Sequence, residues 1–291
     1  MEQDYDYKHG DLNIVDGIAL YEGKPVTGIV ARYFPPREYA QYVDGIKHGI
    51  QKSYDYGASR IWVLTETPFV NGVIEGIEKG YRKDGSLACE CSYKNNLMDG
   101  IAKYYHKDGT TLSSECLYVN GNEEGLYKSY YEDGTLKYEW QCVNGVHNGI
   151  DNEYYTNGML KSEGFYKKGK SEGPTKAYYR DGALHHEAQY VKGKIEGLVK
   201  VYYNSGALKE ENIYKRGKKN EICKSYFENG IVKRELQYLN GKLNREQKIY
   251  NEDGSLYATI VCKLGKRESG ILAEDGSEMT KQAIKVALGD E

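Results

Sequence analysis

The sequence has little phenylalanine: its 291 residues include 4 Phe against 30 Tyr. A thick, dry core favours Phe, Leu and Ile, whereas tyrosine suits positions where one end of the ring stays in water. The imbalance therefore indicates a thin structure with little deep interior.

Long apolar runs and a strong charge of one sign are also missing. No apolar run approaches the roughly 20 residues that a membrane-spanning helix needs. The first ten residues are polar and acidic, unlike a secretory signal, so we expect a cytoplasmic protein. The net charge is −3 with 29% charged residues, and this mixed surface argues against a nucleic-acid partner.

Catalytic motifs are absent as well. The sequence contains no G-x-S-x-G elbow, phosphate-binding loop or H-E-x-x-H run. His185 and His186 are adjacent, but successive strand residues point to opposite faces, so we expect that they cannot easily share a metal ion. We therefore predict that the protein is not an enzyme and has no cofactor.

The six cysteines show no zinc-like spacing. Cys91 and Cys116 occupy equivalent places in neighbouring units, which predicts a separation of about 9–10 Å, too far for a disulfide. Cys89 and Cys91 could hint at a metal, but ordinary buried thiols are the favoured interpretation.

What the sequence does contain is a repeat. One copy runs from Gly197 to Gly217, and from Tyr93 onward the period is about 24 residues. Asx-Gly or Ser-Gly pairs such as Ser205-Gly206 separate two alternating runs, which predicts a tight two-residue turn with both residues at positive φ. A second element, Tyr-x-x-Gly-x-x-x-Gly, predicts a looser connection. Each unit is therefore expected to be a β-hairpin.

Side-chain pairing predicts the hairpin register. A centre between Ser205 and Gly206 places Lys200 opposite Glu211 and Tyr203 opposite Leu208. A Lys and a Glu meet in the same way in other units, and such repeated pairs specify register. The other predicted pairs are Lys79 with Glu90, Lys176 with Glu187, and Lys224 with Glu235.

The most regular position is a tyrosine that follows the last loop glycine by five residues, or follows Glu221 and Arg245 where these replace the glycine. It predicts an aromatic row on one face of the sheet, either as internal packing or as a surface that grips a partner. The row contains Tyr33, Tyr54, Tyr81, Tyr105, Tyr130, Tyr154, Tyr178, Tyr202, Tyr226 and Tyr250.

The pattern divides the chain into two regions. Residues 1–276 are predicted to form one continuous repeat array, with a lead-in at 1–20, irregular units at 21–92 and regular units at 93–276. The irregular part has a short loop at Pro35-Pro36 and a longer one at 57–68. Residues 277–291 are predicted to form a helical cap over the last edge strand. Its expected N-cap is Ser277 and its stop Gly289, with an apolar side at Met279, Ala283, Val286 and Ala287.

The copies share the pattern Tyr-x-x-Gly-Lys-x-x-Gly-x-x-Lys-x-Tyr-Tyr-x-x-Gly-x-Leu-x-x-Glu. This pattern resembles MORN repeats, in the bacterial variant of YwqK-type antitoxins. The best copies run from Tyr166 to Glu187 and from Tyr190 to Glu211. The resemblance covers roughly residues 21–276. It implies an all-β fold: an elongated, single-layer antiparallel sheet of about eleven stacked hairpins, with a short C-terminal capping helix.

Two functions remain open at this point. The resemblance implies a non-catalytic antitoxin or immunity protein that binds a protein partner, possibly a toxin. The alternative is a MORN-type scaffold for protein assembly or membrane association, although the absence of a basic patch disfavours direct lipid binding. Oligomeric state is not predicted. The expected partner-binding residues are Tyr81, Tyr105, Tyr130, Trp140, Tyr154, Tyr178, Tyr202 and Tyr226.

Overall fold

The computed structural model describes residues 3–5, 12–32, 38–56 and 61–289. Tyr33, the Pro35-Pro36 loop and residues 57–60 of the expected longer loop lie outside these ranges. The chain forms two compact units, Met1–Val146 and His147–Glu291.

The first unit consists of strands. Its larger sheet is antiparallel except that β1 pairs with β5 in parallel, and β2, β3 and β4 form a separate small sheet. The strands are β1 (Gln3–Tyr5), β2 (Leu12–Val15), β3 (Ile18–Tyr21), β4 (Lys24–Pro25), β5 (Gly28–Arg32), β6 (Glu38–Val43), β7 (Ile46–Lys47), β8 (Gly49–Tyr56), β9 (Ile61–Val70), β10 (Val73–Ile74), β11 (Gly76–Tyr81), β12 (Leu87–Lys94), β13 (Leu97–Tyr105), β14 (Leu112–Val119), β15 (Asn122–Tyr130) and β16 (Leu136–Val143).

The second unit continues the hairpin pattern and ends in a helix. Its strands are β17 (Val146–Tyr154), β18 (Leu160–Lys167), β19 (Lys170–Ser171), β20 (Gly173–Tyr178), β21 (Leu184–Val191), β22 (Lys194–Ile195), β23 (Gly197–Tyr202), β24 (Leu208–Lys215), β25 (Lys218–Lys219), β26 (Glu221–Tyr226), β27 (Val232–Leu239), β28 (Lys242–Leu243), β29 (Arg245–Tyr250), β30 (Leu256–Lys263) and β31 (Lys266–Leu272), and the helix is α1 (Lys281–Leu288). The predicted all-β fold of open antiparallel hairpins with a short C-terminal helix is confirmed.

The predicted turn types are reversed. Lys192 and Gly193 both have positive φ, 51° and 79°, and they join the paired residues Val191 and Lys194. This supposedly looser connection is therefore the two-residue turn with two left-handed residues.

The Ser-Gly turn has only one left-handed residue, Gly206 at φ 86°. The Gly206 N–H donates to the Tyr203 carbonyl at 2.9 Å, and the Tyr203 N–H donates to the Ala207 carbonyl at 2.8 Å. These bonds define a three-residue loop that combines a turn with a bulge. Where the residue before the glycine is Asp, as at Asp181, its side chain accepts the N–H two residues on, and this Asx turn needs no positive φ.

The predicted register is confirmed for the Lys–Glu pairs but not for the tyrosine. Lys200 faces Glu211, and the other three predicted pairs are aligned in the same way. Leu208 pairs with Tyr202, one residue before the expected Tyr203, because the register shifts between Val201 and Tyr202. A β-bulge inserts an extra residue in one strand, and counting from the turn cannot detect it.

The loop expected at 57–68 is largely wrong. Residues 61–70 form β9, which pairs with β8 from Gly49↔Phe69 to Tyr56↔Ile61. The extra residues lengthen this hairpin, so the irregular unit differs by strand length.

The two faces of the sheet differ within each repeat. We call the side that carries Lys200, Glu211 and Tyr202, with their equivalents in other hairpins, the ladder face. The opposite side is the core face, and in the same hairpin it carries Val199 and Asn212, which are 8% and 5% exposed. Alternation along each strand assigns the remaining side chains to one face or the other.

In the first unit, the expected lead-in is a folded element. Strands β2, β3 and β4 place Ala19 and Val26 against Val30, Ala40 and Tyr42, and all five are buried. Val30, Ala40 and Tyr42 lie on the core face of β5 and β6. The small sheet therefore covers the core face near the start of the chain.

In the second unit, α1 covers the core face of the last hairpins. The residues just before the helix pair with the last edge strand, as predicted, through the bridge between Ile271 and Glu278. Ile284 and Leu288 pack against Ile249, Ile260 and Cys262. This contact excludes water from the most apolar part of the unit, and burial of each large aliphatic side chain contributes about 1.5–3 kcal/mol.

The predicted ends of the helix are partly correct. Gly289 has φ 79° and terminates α1 as expected, but the N-cap is Thr280, whose hydroxyl accepts the Ala283 N–H at 3.1 Å. Ser277, the predicted N-cap, precedes the helix. Met279 and Ala287 pack against the buried cluster as expected, but Val286 is 67% exposed, because helical spacing places it on the side opposite Ile284 and Leu288.

Candidate functional site

The recurring feature of the repeat geometry is a hydrogen bond from the row tyrosine to a glutamate of the preceding repeat. The Tyr202 hydroxyl donates to Glu187 Oε1 at 2.8 Å, and the Tyr226 hydroxyl donates to Glu211 Oε2 at 2.7 Å. Each bond joins two neighbouring hairpins. The same bond links Tyr81 to Glu66, Tyr105 to Glu90, Tyr130 to Glu115, Tyr178 to Glu163, and Tyr250 to Glu235.

These contacts shift the ionisation of the tyrosines. Burial of the phenol, followed by its bond to the carboxylate, raises the pKa of Tyr202 to about 12. Both effects disfavour a second negative charge beside the glutamate. The pKa is raised to about 12 in the same way for Tyr81, Tyr105, Tyr130, Tyr178 and Tyr226.

Lysines neutralise the glutamates of the ladder face. Lys224 Nζ lies 3.0 Å from Glu235 Oε1, and Lys79 Nζ lies 3.4 Å from Glu90 Oε1. Because these side chains are partly exposed, each pair contributes at most about 1 kcal/mol. Their main effect is to cancel charge along the face, which leaves its apolar side chains available for contact.

Those apolar side chains form a second row that sequence reasoning missed. The residue directly after the last loop glycine points to the ladder face, two residues before the lysine, and it is aliphatic in most repeats. We call this set the aliphatic row. It contains Ile29, Ile50, Ile77, Ile101 and Leu126 in the first unit and Ile150, Leu198 and Ile222 in the second, with exposures from 38% to 54%; Ile222 follows Glu221, which replaces the glycine.

The aliphatic row is regular and open. Within the first unit successive members are two strands apart, which corresponds to about 9.6 Å, and in the second unit Pro174 occupies the position between Ile150 and Leu198. Phe165, which pairs with Ile150, is also 43% exposed, so the apolar strip is locally wider. Repeated exposed apolar side chains on one face are typical of an interaction surface. The sequence signal for this row was the recurring Gly-Ile or Gly-Leu dipeptide, which indicates buried packing when taken alone.

Trp140 does not join the tyrosines. It lies on the core face and stacks on Tyr127 with ring centroids 3.8 Å apart. The tyrosines therefore share one face with the aliphatic row, and Trp140 lies behind them. Tyr154, the remaining predicted partner residue, occupies the row position at the end of β17.

The irregular hairpin of β8 and β9 creates a cleft beside Tyr81 of the tyrosine row. The cleft has a volume of about 460 Å³, and its walls include Trp62, Glu66, Tyr81 and Lys83. Lys83 Nζ lies over the Trp62 ring, 5.4 Å from its centroid. The lengthened strands thus add a concave feature beside the ladder face.

His185 and His186 lie together, contrary to the sequence expectation. Their Nδ1 atoms are 3.2 Å apart. The register shift between Ala177 and Tyr178 leaves His185 as the extra residue of a bulge, and a bulge breaks the alternation of side chains. Burial, with the neighbouring imidazole, lowers the pKa of His186. The described residues contain no group of three or more ligands that could hold a metal ion.

All six cysteines are free. Cys91, Cys116, Cys142, Cys223 and Cys262 are buried, as the favoured interpretation predicted, while Cys89 is half-buried. Among the described residues, no helix has the length and apolarity required to cross a bilayer.

Comparison with known proteins supports the repeat family. Segments of the chain match the MORN repeat variant at residues 74–95, 123–144, 152–168, 195–216 and 222–240. The segment 195–216 spans β23, its turn and β24. These five segments are therefore similar to MORN repeats, and repeats of this kind suggest a binding or scaffolding role. No curated protein matches the chain.

Proposed function

We propose that the chain is a non-catalytic, cytoplasmic protein that binds a protein partner through its ladder face, and that it acts as an antitoxin or immunity protein. The observation that carries the binding proposal is the aliphatic row, which leaves apolar side chains exposed at a regular spacing. The antitoxin role rests on the resemblance of the repeat unit to YwqK-type antitoxins.

The chemistry of the ladder face favours a protein partner. Burial of exposed aliphatic side chains stabilises a complex by about 25 cal/mol per Å² of apolar surface, and the adjoining tyrosines supply rigid rings. Lysines and glutamates such as Lys224 and Glu235 neutralise each other, so the face lacks the unbalanced positive charge that nucleic acid or anionic lipid requires.

The tyrosines contribute their ring edges to this surface. Their hydroxyls are bonded to glutamates, as in Tyr202 and Glu187, so partner contact involves the apolar part of each ring. We therefore include the tyrosines of each unit in the proposed contact surface of that unit. These are Tyr81, Tyr105 and Tyr130 in the first unit, and Tyr154, Tyr178, Tyr202 and Tyr226 in the second.

The decisive experiment tests whether the chain rescues the growth of cells that express the candidate toxin. The full chain is co-expressed with the product of the neighbouring gene, and growth is compared for the parent chain and for Leu198→Glu and Ile101→Glu. We expect the parent to rescue growth and to co-purify with the toxin, and each variant to bind at least about tenfold more weakly, since a charge must then be buried.

A matched control separates loss of binding from a general effect of charge. Val286 is an exposed apolar residue on α1, away from the ladder face, so Val286→Glu should rescue growth like the parent. Absence of rescue by the parent chain contradicts the antitoxin role. Pelleting of the chain with anionic liposomes would instead support the membrane-associated scaffold.

A further inference from the structure

Cys89 and Cys91 lie two residues apart in β12, and both point to the core face. Cys89 pairs with Gly80 and Tyr104, and Cys91 pairs with Glu78 and Ala102. The two thiols are therefore neighbours on this face, and the Cys91 thiol donates a hydrogen bond to the Tyr104 hydroxyl at 4.0 Å. The other four cysteines lie in different strands, so this is the one place in the sequence where two thiols are neighbours on a strand.

The two thiols differ in access. Cys91 is 6% exposed, whereas Cys89 is half-buried. Gly80 lies opposite Cys89, and a Cβ atom at this glycine would lie only 2.7 Å from the Cys89 sulfur. Other hairpins have a side chain at the equivalent position, for example Ser129 or Val201. The glycine therefore provides the space that the Cys89 sulfur occupies.

The surroundings favour a thiolate at Cys89. The neighbouring Cys91 thiol has the largest effect, the Gly80 backbone N–H and the Arg82 guanidinium add to it, and together they lower the pKa of Cys89 to about 7. The proximity of Cys89, with burial, raises the pKa of Cys91. A partly exposed thiolate next to a protonated, buried thiol is the arrangement of an attacking and a resolving cysteine.

We propose that Cys89 and Cys91 form a reversible redox pair that is oxidised by low-molecular-weight disulfides such as oxidised glutathione. The Cys89 thiolate attacks one sulfur of the external disulfide, the S–S bond breaks, and one glutathione thiolate leaves. Cys91 then attacks the Cys89 sulfur, the mixed S–S bond breaks, and the departing glutathione sulfur takes up the proton of Cys91. Two cysteine thiols are oxidised to one disulfide, and one glutathione disulfide is reduced to two thiols.

The geometry makes this disulfide easy to reverse. Cα atoms two residues apart in a strand are separated by about 6.6 Å, near the upper limit of about 6.8 Å for disulfides, and the Cβ atoms must approach to about 3.5–4.5 Å, so the strand has to bend to close the bond. The bulge between Gly80 and Tyr81 lies directly beside Cys89 and gives the backbone a place to adjust. A disulfide closed at this limit is strained, and strained, accessible disulfides are the ones that thiols readily reduce.

The test is intact-mass and peptide mass spectrometry of the full chain after incubation with oxidised glutathione. The parent chain should lose two hydrogen atoms, with the bond mapped to Cys89 and Cys91, and reduced glutathione should restore the original mass. Cys91→Ser should stop at a single glutathionyl adduct on Cys89. Cys89→Ser should show neither product, because Cys91 is buried.

Cys116→Ser is the matched control, because Cys116 occupies the equivalent of Cys91 in the next repeat, with Ser114 in place of a second cysteine. This variant should react like the parent. Circular dichroism checks the fold of each variant. The proposal is overturned if the parent chain keeps its mass in excess oxidised glutathione, if it stops at the adduct as Cys91→Ser does, or if Cys89→Ser still forms a disulfide.

Discussion

The Tyr202 hydroxyl reaches back by one repeat to donate a hydrogen bond to Glu187, at 2.8 Å. Glu187 pairs with Lys176 in one hairpin and with Lys200 in the next, so it lies where two repeats meet. Because a repeat protein is stabilised by contacts between neighbours, this bond contributes to the interface that holds the array together.

Removal of the hydroxyl should therefore destabilise the protein without removing the ring. We expect Tyr202→Phe to lower the free energy of unfolding by about 1 kcal/mol, since a partly buried carboxylate loses one donor. Thermal denaturation followed by circular dichroism measures the effect.

Tyr190→Phe provides the comparison in the same repeat, because the Tyr190 hydroxyl has no hydrogen-bond partner within the described part of the chain. It should leave the melting temperature nearly unchanged. Equal shifts for the two variants would show that the hydroxyl of Tyr202 has no special role.

Alkaline pH should act on the whole row. The pKa of Tyr202 is about 12 in the folded chain, compared with about 10 in the unfolded chain. A pKa raised by folding contributes stability that is complete below pH of about 10 and is lost as the pH rises through about 12. We expect denaturant stability to fall across this window, with proton release on unfolding.

Ultraviolet absorbance of tyrosinate measures this titration directly. A folded sample should show a group of tyrosines that ionise near pH 12, and a sample in denaturant should show all of them near pH 10. Titration of every tyrosine near pH 10 in the folded sample would contradict the buried Tyr–Glu bonds.

Much of the fold could be predicted from pattern because the repeat carries redundant information. The pairing of Lys200 with Glu211 follows from a period of two and a turn glycine, and several copies agree on it. The bulge beside Tyr202 could not be predicted in this way, because an inserted residue changes the register without a change in composition.

The turns and the site were harder to predict. Lys192 adopts positive φ although lysine has no preference for it, since the two-residue turn of the strands imposes this conformation. The exposure of Leu198 depends on how far the neighbouring side chains extend over it, and a leucine in an alternating run is equally compatible with burial. The tyrosine row was visible in the sequence, but the apolar row beside it was not.

The packing of the C-terminal helix makes a further prediction. Ile284 is 5% exposed in the cluster with Ile249 and Ile260, whereas Val286 is 67% exposed. Ile284→Ala should therefore destabilise the second unit by about 2–4 kcal/mol, through lost burial and a residual cavity. Val286→Ala should change stability by less than about 0.5 kcal/mol. If thermal denaturation shows that Val286→Ala destabilises the protein more than Ile284→Ala, Val286 lies on the buried side of the helix, as the sequence predicted.

Two repeats lack the loop glycine, and the residues in its place have a strained backbone conformation. Glu221 and Arg245 occupy its position with φ of 62° and 71°, where side-chain-bearing residues are strained by about 1–3 kcal/mol. Glycine relieves this strain but has more freedom in the unfolded chain, so Glu221→Gly should stabilise by about 1 kcal/mol net. Gly197→Glu is the reciprocal test, since Gly197 has φ 81° and no atom lies within 4 Å of the position that its Cβ would take. This substitution should lower the free energy of unfolding by a similar amount. Chemical denaturation measures both variants, and the strain is absent if Glu221→Gly does not raise stability and Gly197→Glu does not lower it.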